Sequence, residues 1–132
     1  MTKVNKRQIG SKYEKLAGAF LERQGYEILC YNYRCFFGEI DIVAKDDETL
    51  VFCEVKYRSS STRGNPLEAV DAKKQQILYR CGMNYISFES EDTRNHTRSS
   101  EHCQRKEEVP CRFDVIGFIG DEICHVKNAF EG

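Results

Sequence analysis

Apolar residues near the start of the chain are spaced as on one face of a helix. Between Ile9 and Gln24 they recur every three or four positions, which is typical of an amphipathic α-helix that packs on a core. Gly25 follows directly, and glycine readily adopts the left-handed conformation that commonly ends a helix. We therefore predict a first helix over residues 9–24.

Five segments have the apolar runs or the alternation of β-strands. Their predicted bounds are 26–33, 38–44, 49–58, 112–119 and 123–126. The polar residues Lys45–Glu48 form the predicted turn between the second and third strands. The last two strands meet at Gly120-Asp121, a dipeptide typical of a tight turn.

A second helix is predicted between the third and fourth strands. Asn65 is the expected N-cap, Pro66 suits the first helical position, and Glu68 can close a capping box. The helix is expected to run to Cys81 or beyond. Residues 87–110 are almost all polar or charged, so we expect a long exposed and flexible insertion there.

The order of these elements indicates the fold class. A chain of 132 residues with 40% hydrophobic content is long enough for one core, so we predict a single domain over residues 1–132. Helix, three strands, helix and two strands, with no internal repeat, predict an α/β (α+β) fold with helices on a mixed sheet.

The second and third strands form a hairpin that gathers charged residues on one face. Successive strand residues point to opposite faces of a sheet. In the first of these strands the apolar face carries Ile40, Ile42 and Ala44, and in the second it carries Val51, Cys53 and Val55. These faces match only if paired residue numbers sum to an odd value. That register places four charged residues together, namely Glu39, Asp41, Glu54 and Lys56.

Asp41 and Glu54 are the candidate metal ligands of this hairpin. A four-residue turn is expected to set them directly opposite, and a two-residue turn diagonally; both arrangements allow them to share a cation. Two neighbouring carboxylates repel each other, and hard oxygen ligands suit Mg²⁺ or Mn²⁺. Lys56 could then orient a water or stabilise charge on a phosphate. The alternative is an ordinary solvent-facing surface with cross-strand ion pairs.

The overall charge excludes nucleic-acid binding by bulk attraction. The net charge is −1 and the pI is about 6.3, so any such binding must depend on local clusters of cations. The candidates are Lys12 in the basic start of the chain and Lys73, Lys74 and Arg80 on the second predicted helix. A solvated helix face explains the lysines equally well.

The cysteines indicate a reducing compartment, and the hydropathy indicates a protein without a membrane helix. The seven cysteines are an odd number without a C-x-x-C pair, which favours free, mostly structural thiols. A zinc site from His96, His102, Cys103 and Cys111 is a weaker alternative. No apolar run is long enough for a membrane helix, and no signal region follows the basic start. We therefore expect a cytoplasmic protein without membrane attachment.

Two motifs in the hairpin resemble a known family. The segments Gly38-Glu-Ile-Asp-Ile-Val-Ala44 and Leu50-Val-Phe-Cys-Glu-Val-Lys-Tyr-Arg58 are similar to the YraN family of predicted endonucleases. Within them, Asp41 followed by Glu54-Val-Lys56 looks like the PD-(D/E)XK signature of restriction-endonuclease-like enzymes. The resemblance extends to 66–71 with Lys74, to 112–115, and to His125 with Asn128-Ala-Phe130.

The resemblance implies a fold, a reaction and a set of residue roles. The implied fold is a restriction-endonuclease-like αβββαβ core with a mixed central sheet flanked by helices. The implied activity is cleavage of DNA with Mg²⁺ or Mn²⁺, on branched or otherwise structured substrates. Asp41 and Glu54 would hold the metal with the Val55 carbonyl, Lys56 would be catalytic, and Glu14 on the first helix would add a carboxylate. Relatedness to Holliday-junction resolvases suggests a homodimer.

A non-catalytic role is the alternative to this activity. The chain could be a nucleic-acid-binding or adaptor protein that keeps the nuclease fold without its chemistry. Cleavage assays on branched DNA with Mg²⁺ or Mn²⁺ separate the two hypotheses. Metal analysis of the pure protein tests the zinc alternative.

Overall fold

A computed structural model describes residues 6–58, 70–97 and 109–130, with side chains over 11–57, 70–88 and 109–130. The elements are α1 (Lys6–Arg23), β1 (Glu27–Cys35), β2 (Gly38–Asp46), β3 (Thr49–Arg58), α2 (Ala72–Thr97), β4 (Cys111–Ile119) and β5 (Glu122–Phe130). Gly25, with a φ of 96°, follows α1 as predicted. The strand bounds agree with the sequence prediction within a few residues, apart from the longer β5.

The strands form one mixed sheet in the order β1-β2-β3-β4-β5. The β3–β4 pair is parallel and the other three pairs are antiparallel. Parallel neighbours need a long crossover connection, and α2 lies within that connection. The predicted α/β class and the mixed sheet with flanking helices, as in a restriction-endonuclease-like core, are confirmed.

Two apolar clusters cover the two faces of the sheet. One joins α1 to the sheet through Ala17 and Leu21, which pack with Val51 and Cys53. The other joins α2 to the opposite face and includes Leu78, Cys81, Tyr85, Phe52 and Phe113. Each fully buried large apolar side chain contributes roughly 1.5–3 kcal/mol relative to an exposed one. The sheet is therefore held between two helical layers.

Helix α2 begins later than the cap signals predicted. Asp71 is its N-cap, because the Asp71 carboxylate accepts a hydrogen bond from the Lys74 backbone N–H at 2.8 Å. The predicted cap Asn65 lies outside the described residues, and a helix continuous from Pro66 is wrong because α2 starts at Ala72. Within the described parts of the chain, no helix is long and apolar enough to cross a membrane.

The far end of α2 also differs from the prediction. The helical backbone continues to Thr97, so an irregular segment does not begin at Ser87. Phe88 at this end is 62% exposed, which agrees with a helix that leaves the core there. Residues 98–108 of the predicted insertion lie outside the described part of the chain. The flexibility of the insertion stays a prediction. So does the organisation of the chain as a single domain.

The β2–β3 turn is shorter than predicted. Asp46 pairs with Thr49, which leaves a two-residue turn in which Asp47 has a φ of 60°. Paired numbers sum to 95, as 46 and 49 do, so the predicted odd sum is confirmed. The paired residues end at Ile42 and Cys53, one position before Asp41 and Glu54. Extended by one position, the same sum would bring Asp41 next to Glu54, so their direct pairing corresponds to a two-residue turn and not, as the sequence prediction had it, to a four-residue turn.

Strand β2 changes its facing at Asp41. Ile42 packs in the α1-side cluster, whereas Ile40 packs in the α2-side cluster, so the prediction that these two isoleucines share a face is wrong. Asn32 lies opposite Asp41 in the β1–β2 register and has a φ of 54°. A residue in the left-handed region interrupts the regular pleat. Asp41 therefore lies where residues from the α1 side and from the α2 side of the sheet can both approach it.

Candidate functional site

Three carboxylates converge where β2 bends. Oxygen atoms of Glu14 on α1 and of Glu39 and Asp41 on β2 all lie within 4.8 Å of one another. Glu14 reaches this point because Ala17 and Leu21, three and seven residues later on the same helix, are fully buried against the sheet. Glu14, Glu39 and Asp41 are called the carboxylate cluster below.

The surroundings of Asp41 make its negative charge unfavourable in the absence of a cation. Burial, followed by the neighbouring Glu54 carboxylate, raises the pKa of Asp41 to about 8, although the Val55 N–H partly offsets this. That backbone N–H donates to Asp41 Oδ2 at 2.9 Å and fixes the carboxylate in place. The environment therefore favours a bound proton or a metal ion at Asp41.

Glu14 experiences the same kind of environment. Burial raises its pKa, a hydrogen bond with Asn32 opposes that effect, and the nearby Glu39 carboxylate adds to it. Asn32 is thus both the left-handed residue at the bend and a polar neighbour of the site. The carboxylate cluster collects negative charge that nearby protein groups only partly compensate.

Glu54 lies beside the cluster and is paired with two lysines. It is 4% exposed, and Glu54 Oε2 lies 3.1 Å from Lys56 Nζ and 3.6 Å from Lys74 Nζ. A carboxylate so deeply buried needs such compensation, because an unpaired buried charge costs several kcal/mol. Lys56 comes from the same strand and Lys74 from the first turn of α2. The site is therefore assembled from α1, β2, β3 and α2.

The structure brings together most of the residues that the sequence singled out. Glu14, Asp41, Glu54, Lys56 and Lys74 all belong to one connected group of charges. Their roles in metal binding and catalysis stay predictions.

The remaining predicted residues lie at the edge of this group of charges or away from it. Val55 contributes its N–H to Asp41, whereas the sequence prediction concerned its carbonyl. Lys73 is exposed on α2. Lys12 is exposed on α1, with its ammonium 6.0 Å from the centre of the Tyr13 ring. Neither lysine is among the charged groups that meet at Glu54.

Glu39 is the site residue whose role sequence reasoning missed. Its place on the acidic face was predicted from the strand period, but no ligand role was assigned to it. In the structure it is one of the three converging carboxylates, and Glu39 Oε1 also lies 3.5 Å from Arg34 Nε. The signal in the sequence was its spacing of two residues from Asp41.

A second polar group is buried on the α1 side of the sheet. Asp114 is 1% exposed and is held by His125 Nε2 at 2.8 Å, Arg112 Nε at 3.1 Å and the Asn128 backbone N–H at 2.9 Å. Burial acts to raise the pKa of Asp114, but these hydrogen bonds lower it overall. Because the Asp114 carboxylate accepts hydrogen bonds from three groups on β4 and β5, this group has the character of a structural network that joins the two strands.

No disulfide joins the cysteines that the structure describes, which are Cys30, Cys35, Cys53, Cys81, Cys111 and Cys124. Cys35 Sγ and Cys81 Sγ lie 3.5 Å apart, and burial, followed by this contact, raises the pKa of Cys81 to about 12. For the zinc alternative, His102 and Cys103 lie outside the described residues.

The fold and the site together define a class of protein. It is a layered α/β domain in which two helices and two strands bring carboxylates and lysines to one bend in the sheet. Carboxylate oxygens are the ligands that Mg²⁺ and Mn²⁺ prefer, so this donor set fits a hard divalent cation.

The chain belongs to the uncharacterised protein family UPF0102, whose sequence signature matches residues 13–118. It is 39% identical over 128 residues to a UPF0102 protein of Lachnoclostridium phytofermentans, with 97% of each chain covered. It is 46% identical over 135 residues to one from Caldicellulosiruptor saccharolyticus, covering 96% of this chain and 100% of that one. A relative in Thermodesulfovibrio yellowstonii is 41% identical over 123 residues, with 93% and 96% covered.

Proposed function

We propose that this protein is a metal-dependent endonuclease of the PD-(D/E)XK type that cleaves DNA, with branched or otherwise structured DNA as the preferred substrate. The observation that carries the proposal is the convergence of the carboxylate cluster within 4.8 Å, next to the buried Glu54–Lys56 pair. The similarity of residues 38–44 and 50–58 to the YraN family supports the same reaction.

Asp41 is the best candidate for a metal ligand. Burial and neighbouring carboxylates raise its pKa to about 8, so a cation that replaces the proton relieves an existing electrostatic cost. Glu14 and Glu39 offer further oxygens at the same point, and Glu54 lies beside Asp41. When bound, Mg²⁺ or Mn²⁺ supplies Lewis-acid polarisation of a phosphate oxygen and promotes ionisation of water.

Lys56 is the candidate catalytic cation. Its side chain is 29% exposed, so its ammonium reaches both Glu54 and the surface from which a phosphate approaches. In that place it can hold an attacking water by a hydrogen bond or stabilise negative charge that develops on the phosphate. Lys74, whose side chain is 36% exposed, can share the second role.

DNA is the proposed substrate because cations flank the carboxylates in an otherwise nearly neutral molecule. The net charge of −1 leaves affinity for phosphates to local groups. Lys74 is one such group, and Lys73 and Arg80 are exposed on the same helix. A cytoplasmic location and a homodimer that cuts two strands are parts of the same proposal.

A non-catalytic nucleic-acid-binding or adaptor role is the second candidate. It is favoured by the pairing of Glu54 with two lysines, since this arrangement is electrostatically complete without a metal. An adaptor would use the cations of α2 for phosphate contacts and would need no metal at the carboxylates.

Cleavage of a labelled four-way junction separates the two candidates. We expect products with Mg²⁺ or Mn²⁺ and none with a chelator, and no products from Asp41→Asn. The control variant is Asp47→Asn, which makes the same chemical change at an exposed turn residue that keeps a left-handed backbone. Tight junction binding without cleavage under any metal condition would assign the protein to the adaptor class.

A further inference from the structure

The turn between β1 and β2 exposes two aromatic rings. Phe36 is 94% exposed and Phe37 is 40% exposed. Their ring centroids are 5.6 Å apart with an interplanar angle of 84°, so the faces of the two rings point in different directions. An apolar side chain that remains this exposed gains almost nothing from burial in the fold. Phe36 and Phe37 are called the aromatic turn below.

The aromatic turn is anchored close to the carboxylate cluster. It leads into β2, whose second residue is the cluster member Glu39. Gly38 has a φ of 154°, and a Cβ there would lie 2.7 Å from Ile77 Cγ2, so glycine lets the turn pack closely on α2. Three residues of chain span at most about 10 Å, so the backbone of Phe36 lies no farther than that from the backbone of Glu39, which is at most the length of about three stacked bases.

Two arginines, Arg80 and Arg34, are the cations nearest to the aromatic turn in space or along the chain. The Arg80 guanidinium lies 5.8 Å from the centre of the Phe37 ring, and the side chain of Arg34 is 63% exposed. Lys73 is seven residues before Arg80, which places the two on the same side of α2 two turns apart. Exposed rings among guanidinium and ammonium groups match a nucleic-acid strand, whose bases stack and whose phosphates are anionic.

The same cations disfavour a second copy of this chain as the occupant. In a two-fold symmetric dimer built on this surface, both copies would contribute the same patch, so Arg34 and Arg80 of each copy would lie near the basic patch of the other. Like charges brought together in this way oppose association. The charge pattern therefore favours an anionic partner over self-association.

We propose that the aromatic turn stacks on an unpaired base of the DNA whose phosphate lies at the carboxylate cluster, and that it thereby selects branched or frayed DNA over intact duplex. The inference rests on the proposed function and adds a basis for its substrate preference. Bases inside a duplex are already stacked on both sides, so away from the duplex ends only an unpaired base offers a free face to Phe36.

Binding of a forked duplex tests this inference. The probe carries 2-aminopurine at its first unpaired position, and a blunt duplex of matching sequence is the comparison. Ca²⁺ is present because it accepts the same oxygen ligands in looser geometry. We expect Phe36→Ala to weaken fork binding about tenfold, the loss of one stacked base, and to change duplex binding less than twofold. The change in 2-aminopurine fluorescence that accompanies binding of the wild-type protein should be absent with Phe36→Ala.

Two variants make the test specific. Phe36→Tyr keeps a flat ring and should retain fork affinity and the fluorescence change. Phe88→Ala removes another exposed phenylalanine, 62% exposed on α2, and should behave as wild type. Wild-type fork affinity in Phe36→Ala, or an equal loss for fork and duplex, would overturn the inference.

The inference and the proposed function fail in different ways. Should Phe36→Ala keep wild-type fork affinity while metal-dependent cleavage is intact, the inference falls and the nuclease stands. A wild-type protein that binds neither probe and cleaves no junction removes both. Sedimentation that shows a dimer lost in Phe36→Ala, without change in fork binding, would make the aromatic turn a contact between copies and overturn the inference.

Discussion

Asp41 lies at the position where β2 changes from packing on the α2 side of the sheet to packing on the α1 side. The bend opposite Asn32 moves Ile40 into the α2-side cluster and leaves Ile42 in the α1-side cluster. Asp41 lies between these isoleucines, so it contacts the backbone of β3 and also approaches Glu14 from α1. The irregularity in the strand thus brings the Asp41 carboxylate close to Glu14 of the first helix.

The first prediction concerns metal binding by Asp41. Asp41→Asn removes an anionic oxygen ligand with little change of volume, so we expect calorimetry to show no Mg²⁺ or Mn²⁺ binding in this variant. Its fold should persist, because the substitution also removes repulsion between carboxylates. Asp47→Asn is the matched control and should bind metal as wild type does. An unchanged metal affinity in Asp41→Asn would refute the ligand assignment.

The second prediction concerns Asp114 and pH. Hydrogen bonds lower its pKa in the folded protein, so its contribution to stability is present above the unfolded pKa of about 3.9 and is lost as pH falls through the folded value. At pH 7, Asp114→Asn should reduce the free energy of unfolding by about 3 kcal/mol, because it breaks a buried charged network. The difference from wild type should narrow as pH decreases from 5 towards 3.

Urea denaturation across this pH range provides the measurement for Asp114. Asp121→Asn, at the exposed β4–β5 turn, is the control and should change stability very little. A difference between Asp114→Asn and wild type that stayed constant from pH 7 to pH 3 would argue against the ionised network as its source.

The N-terminal cap of helix α2 holds the backbone of Lys74, a residue whose side chain reaches the site. Asp71 accepts the Lys74 backbone N–H at 2.8 Å, and the Lys74 side chain reaches Glu54 at 3.6 Å. The residue whose backbone N–H is capped by Asp71 is therefore also one of the two lysines that compensate the Glu54 charge.

The third prediction tests this cap. Asp71→Ala should lower the free energy of unfolding by about 1 kcal/mol, because it leaves helical N–H groups without a partner. Asp71→Ser supplies another oxygen acceptor and should retain most of the stability. Thermal or urea unfolding of the two variants measures the difference. Equal stabilities for Asp71→Ala and Asp71→Ser would show that the side-chain cap contributes nothing.

The elements that the sequence predicted well are those whose burial follows a simple period. Strand β3 was predicted with its observed bounds, Thr49–Arg58, because its apolar run is bounded by clear polar turns. The β2–β3 turn was predicted too long because Lys45 and Asp46 are polar although they are paired at the end of β2. Residue polarity does not report whether the backbone still forms ladder hydrogen bonds.

The candidate site was predictable in part for the same reason. The strand period placed Asp41, Glu54 and Lys56 together, and the structure does so as well. The strict period could not foresee the bend, at which Asn32 has a φ of 54° in place of the extended backbone that the period assumes. The Lys74–Glu54 contact joins two elements across the fold, and no local pattern encodes such a distance.

For the whole molecule, the nearly neutral charge limits how the proposed DNA substrate could be bound. The proposed phosphate contacts involve four cations, Lys74, Lys73, Arg80 and Arg34, of which Lys74 and Arg34 are also paired with Glu54 and Glu39, in a chain with a net charge of −1. Affinity should therefore depend on salt less steeply than it does for strongly basic DNA-binding proteins.

The fourth prediction gives this dependence a magnitude. With about four phosphate contacts, the slope of log K against log salt should be roughly −3 to −4. Lys73→Ala should make the slope shallower by about one. Lys45→Ala, an exposed lysine at the other end of β2, is the control and should leave it unchanged. Fluorescence anisotropy between 50 and 200 mM salt measures the slope, and a value near zero would exclude phosphate contacts by this set.

Lys56→Ala is the variant that shows whether the carboxylates and Lys56 form one catalytic centre. Single-turnover cleavage of a four-way junction is measured at saturating protein, with Mg²⁺ and with Mn²⁺, beside metal and DNA affinity. We predict nearly unchanged affinities and a rate lower by roughly two or more orders of magnitude, as expected for the loss of one positioned catalytic group. An unchanged rate, or a loss of DNA affinity equal to the loss of rate, would contradict the account.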